Sequence, residues 1–165
     1  MFPKATTFLL NDFYGNPDRN GDGVADSTWV TENITRIVPP YPMFWSWNKE
    51  PVRTIALHKK CAKAFEESLT EVGRKYDAKQ REILHLDQCG GGYTFRTMRG
   101  GERLSVHAYG AALDIAPAVN WLGRHWAEGL GMMPIKVVEI FAARGLRWGG
   151  KWQRPDAMHF EATTR

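Results

Sequence analysis

His107 and Asp114 stand seven positions apart in Ser105-Val106-His107-Ala108-Tyr109-Gly110-Ala111-Ala112-Leu113-Asp114, and Asp156-Ala157-Met158-His159 follows later in the chain. Two imidazoles and two carboxylates in short segments of small residues make a donor set for a divalent metal. Zinc ligands sit at about 2.0–2.2 Å from the ion, so the backbone has to bring them together. On a continuous helix the seven-residue gap separates His107 from Asp114 by roughly 10 Å along the axis. On a continuous strand it exceeds about 20 Å. Neither regular element satisfies the metal, so the chain must reverse between the two residues. Ala108-Tyr109-Gly110 supplies the place, with Gly110 free to take positive φ. The apolar run Ala111-Ala112-Leu113 and Ile115 predicts a buried strand that carries Asp114, giving a strand–turn–strand clip.

Asp156 and His159 follow Pro155, which disfavours helix at Arg154, and Met158 and Phe160 predict a short strand packed into the core. The resulting assignment is His107, Asp114 and His159 as zinc ligands, water in the fourth position, and Asp156 as general base. A zinc-bound water has its pKa lowered towards about 7, within reach of a neighbouring carboxylate. Ser105 is expected to support the ligands by hydrogen bonding from behind; a plain turn hydroxyl is the other reading. No dedicated base accompanies it, which argues against a serine nucleophile.

The segment Arg99-Gly100-Gly101-Glu102-Arg103-Leu104-Ser105-Val106-His107-Ala108-Tyr109-Gly110, with Asp114-Ile115-Ala116-Pro117, resembles the zinc peptidases of the D-Ala-D-Ala carboxypeptidase family. The stretches Gly131-Met132-Met133-Pro134, Val137-Val138-Glu139-Ile140-Phe141 and Trp148-Gly149-Gly150-Lys151-Trp152 leading into Asp156-Ala157-Met158-His159-Phe160 resemble its bacteriophage branch. That branch includes L-alanyl-D-glutamate endopeptidases acting as endolysins. The likeness covers residues 85–162, and more loosely the chain from Phe13 onward. It implies a Hedgehog/DD-peptidase-like fold, with His107, Asp114 and His159 on zinc and Asp156 as the catalytic carboxylate where many relatives carry Glu. Arg96 matches the arginine that steadies the scissile carbonyl oxygen, where attack builds negative charge; Arg99 is the competing candidate. The implied substrate is bacterial peptidoglycan. Cleavage of L-Ala-D-Glu or release of terminal D-Ala both stay open, as does a non-catalytic wall or virion protein in which zinc only staples the fold. The same resemblance implies residence in the host cytoplasm until the enzyme is released to the cell wall.

The remaining sequence fits a supporting frame. With 165 residues and 43% hydrophobic content the chain can bury one sizeable core, so residues 1–165 are expected to form a single catalytic domain. Within it, 1–47 forms an N-terminal segment, with no separate wall-binding module. No apolar run is long enough to span a bilayer, and the first ten residues are too short and polar for a signal peptide. The net charge of +4 is scattered without a nucleic-acid motif, so no nucleic-acid partner is expected, and a monomer is. Cys61 and Cys89 are too few for a disulfide framework and are expected as free thiols.

Apolar spacing predicts a helix capped by Asn48, entered through Pro51 and ending at Gly73, and a second from Pro134 to Gly145. Short strands are predicted at 104–106, 112–115, 146–148 and 158–162. The expected class is α+β, a small antiparallel sheet flanked by helices. Upstream, Asp18, Asn20, Asp22 and Asp26 with Gly23 imitate the first nine positions of an EF-hand calcium loop. Trp29 replaces the bidentate Glu at the twelfth position and excludes a standard EF-hand. A weaker Ca2+ site tethering the N-terminal segment and an Asx-rich turn are the two readings left.

Overall fold

The computed structural model describes residues 1–164, an α+β arrangement in which helices pack around a five-stranded sheet. In chain order the elements are α1 (Thr7–Tyr14), α2 (Ser27–Asn33), β1 (Ile34–Ile37), β2 (Phe44–Trp45), β3 (Ile55–His58), α3 (Ala62–Lys75) and α4 (Ala78–Ile83). They continue as β4 (Gln88–Gly91), β5 (Ala112–Ile115), α5 (Pro117–Asn120), α6 (Ile135–Ala142), β6 (Arg147–Gly149) and β7 (Asp156–Glu161). The main sheet runs β2-β4-β5-β7-β6; it is antiparallel except for the edge pair β2–β4, which is parallel. β1 and β3 form a separate antiparallel pair.

The core lies between this sheet and helices α3 and α6. Phe65, Leu69 and Val72 recur at helical spacing on α3 and are buried. Phe65 meets Phe141 of α6 edge-on at 6.4 Å, and Phe141 packs on Phe160 of β7 with ring centroids 4.1 Å apart. Each large aromatic of this kind removes enough apolar surface from water to stabilise the fold by about 2–3 kcal/mol. The N-terminal segment belongs to the same cluster. Tyr14 is buried and donates to the Ala162 carbonyl at 2.6 Å, and Thr164 N–H donates to the Pro3 carbonyl at 2.7 Å. Trp29 is fully buried, with Nε1–H on the Tyr14 carbonyl.

Several expectations are corrected. The helix predicted from Pro51 to Gly73 is two elements: residues 55–58 are strand β3, and α3 begins only at Ala62. The alternating Ile55 and Leu57 fit a strand as well as a helix over so short a run, and pairing with β1 decides. Gly73 lies inside α3 against the Tyr41 ring rather than ending it. Asn48 accepts from Glu50 N–H in a turn and caps no helix. The second helix is shorter than predicted, with Pro134 as its N-cap.

No strand forms at 104–106. Leu104 pairs only with Thr97, and a 3-10 turn, Val106–Tyr109, takes over because Ser105 caps it. Strands β5, β6 and β7 fall where alternating apolar residues place them, β6 one residue later and β7 two residues earlier than predicted. Cys61 and Cys89 are free and buried, and burial pushes both thiols up to about 12.

The Asp18–Asp26 loop is a set of side-chain-capped turns. Asp18 accepts from Gly23 N–H, Asp22 from Val24 N–H, and Asp26 caps α2 through Trp29 N–H at 2.8 Å. Arg19 lies 3.9 Å from Asp26. Among the described residues these carboxylates are not grouped as a metal-binding cluster, and the turns alone account for their placement.

Gly110 closes the 3-10 turn at φ 66°, and a Cβ there would meet His58 N at 2.7 Å and Leu57 C at 3.2 Å. Gly110→Ala is therefore expected to lower the free energy of unfolding by about 2–4 kcal/mol, combining left-handed strain with overpacking against backbone. Urea titration followed by circular dichroism measures it; a loss under about 0.5 kcal/mol would contradict this account of the turn.

Candidate metal centre

Strand register assembles the site. β5 and β7 pair so that Asp114 stands directly opposite His159, which brings a carboxylate and an imidazole together across 45 residues of chain. Asp114 Oδ1 lies 2.9 Å from His159 Nδ1. β4 flanks β5 on its other side, and a Cβ on Gly90 would meet Asp114 Cβ at 2.8 Å. A Cβ on Gly92 would likewise meet the Ala56 carbonyl, so the backbone packs tightly at both glycines.

His107 arrives from the 3-10 turn. Ser105 Oγ accepts from His107 N–H at 3.3 Å, so this serine acts on the backbone of the turn and not on the imidazole. Ring orientation comes instead from Gly92, whose carbonyl accepts from His107 Nδ1–H at 2.7 Å. That bond fixes the tautomer and leaves Nε2 to face the other two groups. His107 Nε2 is 3.2 Å from Asp114 Oδ1 and 3.2 Å from His159 Nδ1.

The three atoms form a triangle with sides of 2.9 to 3.2 Å. A tetrahedral ion with bonds of about 2.0–2.2 Å needs its ligand atoms roughly 3.3–3.6 Å apart. The triangle is slightly tighter than that and needs only a few tenths of an ångström of opening. Two imidazole nitrogens and one carboxylate oxygen also match zinc in softness and charge. His107, Asp114 and His159 are the only cluster of this kind among the described residues, and all three are buried. The residues fit the metal.

A fourth residue, absent from the sequence-derived set, completes the arrangement. Glu161 Oε2 lies 3.1 Å from His159 Nε2, the nitrogen facing away from the triangle. Glu161 is itself held by the Thr163 hydroxyl and by Arg147 at 3.5 Å. Burial alone would raise the Glu161 carboxyl, but its bonds to His159 and Thr163 hold it below the usual range. Burial likewise opposes a charge on His159, yet Asp114 and Glu161 on its two sides raise it to about 10. Burial would raise Asp114 too, and His107 and His159 keep it far below the usual carboxylate range. The signal for Glu161 was available: on a strand, residues two apart share a face.

These groups line a cavity of about 220 Å³ that also receives Asp156, Arg96, Arg99, Arg154 and Trp152. One Asp156 carboxyl oxygen is buried with no hydrogen-bond partner. Burial, helped by the Asp114 charge and opposed by His159, His107 and Arg99, pushes Asp156 up to about 6. A carboxyl left without donors and poised near neutrality suits proton transfer. Arg96 donates to the Thr97 carbonyl at 3.2 Å. Trp152 walls the cavity with its ring 5.4 Å from that of His159.

Residues 99–162 match the family model described as D-alanyl-D-alanine carboxypeptidase. The matched stretch holds His107, Asp114, Asp156, His159 and Glu161 and begins just after Arg96. The match is confined to this stretch and is to a peptidase description. No curated protein and no solved structure matches the chain. No helix among the described residues is long and apolar enough to cross a membrane.

Glu161→Gln keeps the shape of the partner but removes its charge. Zinc affinity is expected to fall roughly 10–100-fold with the fold retained, the usual effect of losing the group behind a metal-bound histidine. Competition against a chromophoric chelator measures it, and an unchanged affinity would remove Glu161 from the site.

Proposed function

We propose that this chain is a zinc-dependent peptidase that hydrolyses the stem peptides of peptidoglycan, as an L-alanyl-D-glutamate endopeptidase of the phage endolysin kind. One observation carries the reading: an unpartnered carboxyl, Asp156, opens into the same cavity as a triangle of metal-ligating atoms. A metal that served only as a staple would have no use for such a group. The description of the matching family favours a second reading of the same chemistry, release of a terminal D-Ala.

In this mechanism His107 Nε2, Asp114 Oδ1 and His159 Nδ1 would hold the ion. Zinc bound there supplies a Lewis acid and a water of lowered pKa. Asp156 takes the proton of the attacking water and returns it to the leaving amine, so it must be ionised at the start of each cycle. Arg96 holds the carbonyl oxygen as negative charge builds on it, while Arg99, whose charge lowers Asp156, keeps the base from rising further. Trp152, Met158 and Leu122 wall the cavity with apolar surface and limit water around the reacting groups. Glu161 fixes the His159 ring, and the Gly92 carbonyl fixes that of His107.

Asp156→Asn is expected to bind zinc as the wild type does and to lose lysis of purified cell walls by at least about 100-fold, the share of a general base. Wild-type turnover in that variant would remove Asp156 from catalysis. Activity of the wild type should rise with pH along an acid limb at or below about 6, since a nearby dication only lowers the base.

The stability linkage runs the other way. A carboxyl raised in the folded state stabilises the fold while protonated, and that contribution is lost as pH rises through about 6. In chelator-stripped protein, Asp156→Asn should therefore show a Tm about 2–4 °C above wild type at pH 8, with the gain vanishing by pH 4. Mass spectrometry of digested muropeptides distinguishes the two bonds: a new N-terminal D-Glu supports the endopeptidase, and free D-Ala the carboxypeptidase.

A further inference from the structure

A second cavity, of about 160 Å³, adjoins the metal cavity and shares four walls with it: Met98, Val106, Trp152 and Glu161. Its remaining surface comes largely from Leu10 and its neighbours in the N-terminal segment, Leu104, and two arginines, Arg103 and Arg147. The walls are mainly aliphatic, so the cavity suits a hydrocarbon chain. Its charges are unequal in availability. Arg147 is already committed, 3.5 Å from Glu161 and stacked over Trp152 with its guanidinium 4.9 Å from the ring centroid. The Glu161 carboxylate is engaged by His159, Thr163 and Arg147. Arg103 makes no ion pair among the described residues.

The geometry points to a specificity subsite: this cavity receives a substrate side chain within two residues of the scissile bond that is aliphatic and ends in a carboxylate, and Arg103 reads that carboxylate. The apolar walls take the methylenes, and the free guanidinium supplies the charge-assisted hydrogen bonds. A side chain of similar length ending in an ammonium meets Arg103 as a like charge and is disfavoured. The proposal rests on the peptidase reading above and names the side chain that the reading leaves open. Arg103 contributes to binding and lies outside the groups that carry the chemistry.

Three synthetic peptides L-Ala-γ-D-Glu-X-D-Ala test it, with X as 2-aminopimelate, norleucine or lysine. Wild-type zinc enzyme is expected to cleave them in that order, with about tenfold between the first and the last carried by KM and not kcat. Arg103→Glu should reverse the order and Arg103→Met flatten it, both with unchanged turnover of the norleucine peptide.

The same three peptides are titrated calorimetrically into zinc-loaded Asp156→Asn protein, with and without Arg103→Met. This arm reads the subsite even when no peptide is cleaved. Absence of cleavage with the expected order of affinities would reject the peptidase reading and keep the subsite. Equal affinities for the three peptides, or an order unchanged by Arg103→Met and Arg103→Glu, would overturn the subsite whatever the activity. Arg103 is exposed, so both variants should fold, and circular dichroism verifies it.

Discussion

The pairing of Asp114 with His159 across β5 and β7 is the contact on which the candidate site depends. Side chains on a strand alternate between faces, so a slip of one residue in this register would send His159 and Glu161 to the opposite side of the sheet. The surrounding structure pins the register from both directions. β5 is buried along its whole length, β4 approaches it closely at Gly90, and β6 pairs with β7 on the far side. The geometry of the triangle is thus in large part an outcome of sheet packing, with Asp114 and His159 on paired strands and His107 brought in by the 3-10 turn.

Electrostatics at the site follow a chain of partners. Arg147 and Thr163 hold Glu161, Glu161 holds His159, and His159 faces Asp114 and His107. Each buried charge is compensated by the next, which is the condition for tolerating charge in a low-dielectric interior. Asp156 breaks that pattern. It has a buried oxygen without a donor, and an unpaired buried acceptor of this kind costs folding stability.

The clustering of His107, Asp114 and His159 was legible in the sequence: seven residues cannot bring two side chains to one point unless the chain turns, and Gly110 marks where. The sequence placed Asp156 three residues before His159, and both line one cavity. Glu161 was missed, although the strand predicted at 158–162 already placed it on the same face as His159. The helix–strand boundary near Ile55 was not legible, since four residues of alternating apolar character satisfy both periods and only the partner strand β1 decides. Asp26 was ambiguous for a chemical reason: an oxygen that can ligate calcium can equally cap a helix, and here the free N–H groups of α2 claim it. The N-terminal helices went unpredicted because each is seven or eight residues long, too short for periodicity to stand out.

The ligand contacts span 45 and 52 residues of sequence. In small zinc modules the ligands lie close together along the chain, and the ion itself can nucleate folding. Here loop closure over such distances would have to precede capture of an ion, so a disordered or half-made chain would offer it no more than single, weak donors. Uptake of a metal at this site would therefore be a late event that reports a finished sheet, and a molecule that failed to complete β7 would lack one of the three clustered groups.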